Sequence, residues 1–456
     1  MACRLFKWAD LAQKCTLAVI FVALWGIAFT LFGEDVGPQS DTVMLCTLFI
    51  GAKIFGYLVS LLKCPPILGQ MFFGILLQNV GYFNLSPPFK QFAAILRQLA
   101  LINIMLPAGL NLNADVLKSN GIIVILLAIV PALIEVLIMA GLALLLHIKL
   151  VWAILMGLIL AAVSPSVIFP CLFHLEDNGY GLNKGVNTLV VASSTLNDIV
   201  SIAVFVAHLS IIFSKDGSNS ELWRGPVGFI IGFIFGIIWG ILARLIPDKS
   251  DNFVVILRTL LIGIGSVLVC MASDALGFSS AGVLGCIVSA FVASQGWRRE
   301  GWIGDKNPVK YNFMILWKFF EPISFGLIGV GVKFHLLHGL AILYLLGFSL
   351  IALIGRIIST YAIVYFKDFS GKEKIFFALS AIPKATVQAA LGPAALDKAT
   401  TEDEEKNAMN VLVLSVLSII ITAPIGAWLI LTFGPKLLPR KANEQNELQG
   451  GDDDIS

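Results

Sequence analysis

Residues 161–173 read AAVSPSVIFPCLF and place Pro165 and Pro170 inside an apolar run. Proline cannot donate the helical hydrogen bond, and it pushes the preceding residue out of the α region. A helix through this run is therefore expected to break. A second stretch of the same kind, SAIPKATVQAALGPAAL, occupies residues 380–396 and carries Pro383 and Pro393. Polar residues flank both breaks: Ser164 and Ser166 in the first, Lys384 in the second.

The rest of the chain gives these breaks their setting. Of the 456 residues, 58% are hydrophobic and 13% charged, and the mean hydropathy is +0.90. A soluble domain needs a more charged surface. Apolar runs of about 20 residues recur from end to end, the length that crosses a hydrocarbon core of roughly 30 Å. Backbone groups in lipid must bond internally, and strand-like alternation is absent, so the spans are predicted to be helices. The expected fold class is an all-α polytopic membrane protein with about 14 transmembrane helices, from near residue 15 to near residue 432.

In this count the two broken spans lie seven apart, so they cross the membrane in opposite directions. Matching breaks in inverted repeats point to a transporter whose site lies near the bilayer midplane. The predicted organisation is an N-terminal segment and first span over 1–40, a first repeat half with the ion site over 41–246, a second half over 247–436, and a disordered acidic tail over 437–456. Placing both termini in the cytoplasm puts about 19 basic residues on the inner side and about seven on the outer, as the positive-inside rule requires. Which membrane holds the chain, plasma or organelle, is not written in the sequence.

Several functions are excluded by what is missing. The seven cysteines form no CxxC pattern and read as buried thiols, and the five histidines show no metal-ligand spacing. No metal-enzyme site, triad or phosphate loop is present, and the net charge of +2 comes with no basic stripe for nucleic acid. The chain reads as neither an enzyme nor a cofactor protein.

Charges inside the spans carry the chemistry. Glu135 and Arg356 are lone charges in the repeat-related spans five and twelve. Either alone would cost roughly 2.5–3.5 kcal/mol, so they are expected to pair across the bundle. Lys384 can offset the negative end of a half-helix. Lys53 and Arg97 read as snorkelling side chains, and Lys318 and Glu321 as a helical pair. Asn197 and Asp198 sit together in span seven, and the related span fourteen has no matching acid. A carboxylate removed from water favours its protonated form, and once ionised it needs a counter-charge. Na⁺ or Li⁺, which favours oxygen ligands, can supply it. Asp198, Asn197, Ser164, Ser166 and Thr195 are the candidate sodium ligands, together with carbonyls freed at the break. Proton and cation then compete for one group, which makes a secondary antiporter. A neutral Asn197 beside a single acid points to electroneutral 1:1 exchange.

The strings VSPSVIFP, NGYGLNKGV and ASSTLNDIVSI resemble the animal NHA-type sodium/proton antiporters, the B subfamily of solute carrier family 9. So do EPISFGLIGVGV, KEKIFFALSAIPKATVQAALGPAALD and SIIITAPIGAWLI, and the resemblance spans roughly residues 45–440 in order. It implies an inverted-repeat antiporter fold with two discontinuous crossing helices, a homodimer, and a core domain that moves against the dimer interface. It maps the family's ion-binding acid to Asp198, its intramembrane Glu and Arg to Glu135 and Arg356, and its crossover lysine to Lys384. The chain departs from it at Asn197, where mammalian members carry an aspartate, and at Pro107, where an arginine is expected. Two other readings remain. The buried cations Lys53, Arg97, Arg356 and Lys384 suit proton-coupled anion (chloride) transport, and a non-transporting membrane scaffold or sensor is the third.

Overall fold

A computed structural model describes residues 8–440 except 38, 62–63, 85, 113, 182–184, 214–222, 303–305 and 335–338. The start of the N-terminal segment and residues 441–456 of the expected tail lie outside the described residues. So do Lys63, Lys184 and Lys215, three of the basic residues used for sidedness.

The first half contains α1 (Trp8–Phe32), α2 (Asp41–Leu61), α3 (Pro66–Asn79), α4 (Pro87–Asn111), α5 (Ala114–Leu145), α6 (Leu150–Ala161), α7 (Pro165–Asp177) and α8 (Val186–Ile212). The second half contains α9 (Arg224–Leu245), α10 (Val254–Ala275), α11 (Ser279–Arg298), α12 (Pro308–Gly331) and α13 (Gly339–Tyr365). It continues with α14 (Gly371–Ser380), α15 (Thr386–Leu391), α16 (Ala394–Lys398) and α17 (Glu402–Leu437). Among the described residues, eleven helical segments are long and apolar enough to cross a bilayer, with α6 and α7 taken together as one. The other expected spans fall on α1, on the 14-residue α3 and on the interrupted α14–α16. The chain is all-helical and multi-pass, but the count of 14 is not established.

The helices form two groups. A panel contains α2, α3, α4 and α9–α12, and a core contains α5–α8 and α13–α17. Each half of the chain supplies both groups. Packing follows the repeat: α2 meets α3 as α10 meets α11, and α3 meets α12 as α11 meets α4. In the core, α5 meets α6 as α13 meets α14, and α7 meets α8 as α15 meets α17. The two halves of the chain thus share one pattern of helix contacts.

Inside lipid, helices gain nothing from hiding apolar area from one another, so small residues and close packing hold them. α3 and α12 touch backbone to backbone. A Cβ on Gly329 would stand 2.2 Å from the Met71 carbonyl oxygen, and one on Gly74 would stand 2.0 Å from that of Gly326. Gly329→Ala is expected to lower stability by about 1–3 kcal/mol, because backbone must move to admit the methyl group. Gly347→Ala on α13, where nothing lies within 4 Å of the new atom, is the matched control. Equal melting temperatures for the two variants would contradict this packing.

Two smaller expectations change. Lys318 is exposed, and Glu321 accepts instead from Gln70 Nε2 on α3 at 3.1 Å. Three residues of helical spacing bring side chains near one another, but here α3 supplies a fixed donor. Arg97 does not simply snorkel, since it bonds Asp397 at 2.5 Å and so joins α4 of the panel to α16 of the core. Cys46, Cys64, Cys171, Cys270 and Cys286 are free; Cys171, Cys270 and Cys286 are buried, whereas Cys46 is exposed and Cys64 half-buried.

Candidate ion site

Both breaks form where the prolines demand. α6 ends at Ala161; Ala162 (φ −78°, ψ 134°) and Ser164 (φ −87°, ψ 108°) are extended. Pro165 opens α7, where a missing N–H costs no helical bond. α14 ends at Ser380 and α15 begins at Thr386, with Pro383 between them. The two breaks touch. The Ser164 N–H donates to the Pro383 carbonyl at 2.9 Å, and the Thr386 N–H donates to Ser164 Oγ at 3.3 Å. Ser164 Oγ also lies 2.8 Å from Ser166 Oγ and 3.2 Å from Thr386 Oγ1.

A helix that stops within the bundle leaves its last carbonyls without partners. Side chains of the second half take those of α6. Gln388 Nε2 donates to the carbonyls of Ile159 (2.9 Å) and Ala162 (3.0 Å), and Arg356 Nη1 donates to that of Ala161 at 2.6 Å. Lys384 Nζ donates to the Leu160 carbonyl. Two cations thus sit at the negative end of α6. Glu135 on α5 balances them, 2.6 Å from Arg356 Nη1 and 2.8 Å from Lys384 Nζ. All three side chains are 1% exposed or less. The Glu135–Arg356 pair is present, and Lys384 extends it to a triad. Lys384 does meet a negative helix end, that of α6 across the crossing.

Asn197 and Asp198 are neighbours in α8 but face different surroundings. Asn197 Oδ1 accepts from the Val163 N–H (2.9 Å) and Arg356 Nη2 (3.3 Å). Its Nδ2 donates to the Ala128 carbonyl at 2.8 Å. It lies beside a void of about 30 Å³ shared with Arg356 and Thr360. Asp198 instead lines a cavity of about 670 Å³ between panel and core, together with Thr195, Ser166 and Thr386. It is 2% exposed, and its Oδ1 accepts no hydrogen bond from the protein. Thr195 Oγ1 donates to the Val191 carbonyl at 2.8 Å, which leaves its lone pairs available. The structure therefore gathers Asp198, Thr195 and Ser166 at one cavity, with Ser164 one hydrogen bond behind them. Asn197 is turned into the core. The cavity extends past Pro107 to Cys64, Asn111 and Lys310 at the ends of panel helices.

The sodium/hydrogen exchanger transmembrane family model matches residues 46–430. The chain belongs to the sodium/hydrogen exchanger family. It is 35% identical over 453 residues to human sodium/hydrogen exchanger 9B2, covering 96% of this chain and 83% of that protein. It is 33% identical over 439 residues to human sodium/hydrogen exchanger 9B1, with 93% and 84% covered. These relatives are named as exchangers, not enzymes. The structure of the sodium proton antiporter MjNhaP1 from Methanocaldococcus jannaschii at pH 8 superposes with a TM-score of 0.70. The match covers 86% of this chain and 97% of that one at 19% identity, and it shows the shared antiporter fold.

Within this sodium/hydrogen exchanger chain, sequence reasoning missed Thr386 and Gln388. Both stand in the KATVQAA string, the only uncharged polar side chains between Lys384 and Asp397. A signal was available: a second break needs donors for the carbonyls of the first.

Proposed function

We propose that the protein exchanges sodium or lithium for protons by alternating access, with Asp198 carrying either the cation or the proton. One observation carries this reading: a buried carboxylate with an unpartnered oxygen faces a large cavity between two packed groups of helices. A lone carboxylate in such a place is costly unless a proton or cation neutralises it. Thr195 and Ser166 line the same cavity, with Ser164 hydrogen-bonded to Ser166, and offer hydroxyl oxygens to a cation; among the described residues no three His, Cys, Asp or Glu side chains cluster to bind a multivalent ion. Three of the four cations that favour the anion alternative are already engaged. Arg356 and Lys384 are taken up by Glu135 and the α6 carbonyls, and Arg97 by Asp397.

On the core side of the cavity Asp198 is the one acid proposed to exchange its proton, because its neighbour Asn197 is neutral and has its oxygen occupied within the core. The exchange is then one cation for one proton, without net charge movement. Both termini lie in the cytoplasm, following the basic residues, and the cavity opens to that side. The resemblance to the NHA-type antiporters supports a homodimer.

The test is a sodium gradient imposed on proteoliposomes while lumenal pH is recorded, with the membrane potential clamped at several values. Sodium-driven pH change of the same size at every potential is expected. A rate that follows voltage would refute 1:1 coupling, and a response to chloride in place of sodium would refute cation exchange.

A further inference from the structure

The cavity is lined by three charged side chains, and Asp198 is only one of them; the others are Glu321 and Lys310 on α12. Glu321 stands on the panel wall, opposite the core that holds Asp198. It lies thirteen residues after the Pro308 that opens α12, roughly 20 Å along the helix at 1.5 Å per residue. It is half-buried, and one oxygen is fixed by Gln70 Nε2 at 3.1 Å. Gln70 is itself 3% exposed, wedged so that a Cβ on Gly56 would come within 3.1 Å of its Cγ. No ion pair holds Glu321 among the described residues. The Lys53 ammonium on α2 interacts with it only electrostatically.

A carboxylate within a membrane span that has neither a salt-bridge partner nor a full set of donors is expensive to keep for packing alone. Its placement suits another task. A negative group on the wall of a narrow cavity with low-dielectric sides concentrates cations there. Gln70 aims the carboxylate without cancelling its charge.

We propose that Glu321 is a cation-recruiting residue of the transport pathway: a transient site for a monovalent cation on the panel wall, from which Asp198 on the core is loaded. This rests on Asp198 being the transported-ion site. Glu321 takes no part in the exchange itself, so it affects how readily the cavity fills rather than how fast a loaded core turns over.

The experiment compares wild-type protein, Glu321→Gln, Glu321→Asp and Asp198→Asn in oriented proteoliposomes, with sodium titrated on each face in turn. Glu321→Gln keeps the shape and can still bond Gln70. It is expected to raise the KM for sodium about tenfold on the face onto which the cavity opens, the low end of electrostatic focusing. On that face kcat stays unchanged, as does the KM on the other face, and Glu321→Asp restores the wild-type value. An unchanged KM, or a fall in kcat on both faces that Glu321→Asp does not repair, overturns the proposal. If Glu321→Gln does not fold, wild-type protein decides. Choline chloride should raise the KM on the cavity face more than on the opposite face, because salt screens the attraction; equal effects overturn the proposal. Asp198→Asn separates the two ideas. Inactive Asp198→Asn with a normal Glu321→Gln defeats the recruiting role alone, whereas active Asp198→Asn defeats the ion-site reading beneath it.

Discussion

Asp198→Asn is expected to fold as the wild type does and to show no sodium-driven proton movement above background. The substitution keeps the shape of the side chain and removes only its ability to ionise. Asp198 accepts no hydrogen bond through Oδ1, so no donor elsewhere is orphaned by the change. What is lost is the one group on the core side of the cavity that can hold a proton and release it in exchange for a cation. Thr195, Ser166 and the neighbouring hydroxyls can solvate a cation but carry no charge to balance it. Matching melting curves establish folding, and the sodium-gradient assay in proteoliposomes measures the loss. In the wild type, the KM for sodium should rise as the pH falls, as the proposed competition of proton and cation for Asp198 requires. Sodium-driven acidification that survives in Asp198→Asn, or a KM indifferent to pH, would move the site elsewhere.

Glu135→Gln should be the most damaging single change to stability. Glu135 is fully buried and neutralises two cations at once, Arg356 at 2.6 Å and Lys384 at 2.8 Å. The amide would leave both charges in the interior, facing each other. Their bonds to the Ala161 and Leu160 carbonyls would remain, but those are partial charges. Removing one partner of a buried pair typically costs about 3–5 kcal/mol, because the group left behind has lost its solvation and its counter-charge. A large fall in thermal midpoint in detergent is expected. Adding Lys384→Met should recover part of it, as one of the stranded charges then disappears. If Glu135→Gln melts with the wild type, the triad is not what joins α5, α13 and the second break.

The recovery by Lys384→Met would be incomplete for a reason seen in the crossing. Lys384 also closes the Leu160 carbonyl at the end of α6, and Gln388 closes those of Ile159 and Ala162. A helix interrupted in a bilayer is stable only when other groups complete its backbone. The residues that make the second break are also the ones that cap the first, so the two half-spans stabilise each other.

Much of this was fixed along the chain itself. Prolines at 165 and 383 impose breaks through local sterics, and hydropathy imposes all-helical, multi-pass folding because a bilayer offers the backbone no alternative partners. The lone charges Glu135 and Arg356 announced a pair, since neither is tolerable alone in lipid. Tertiary structure decided what local rules cannot. Asn197 and Asp198 are adjacent in sequence, yet about 100° of helix rotation turns one toward Arg356 and the other toward the cavity. Nothing in the sequence says which face of α8 meets the core. Nor does helical spacing reveal that Glu321 is held by Gln70, or that Arg97 bonds Asp397, because these partners lie 251 and 300 residues apart. The local code sets where helices run and where they stop. Which side chains meet is set by how the panel and core pack, and that depends on close approaches such as Gly329 on Met71.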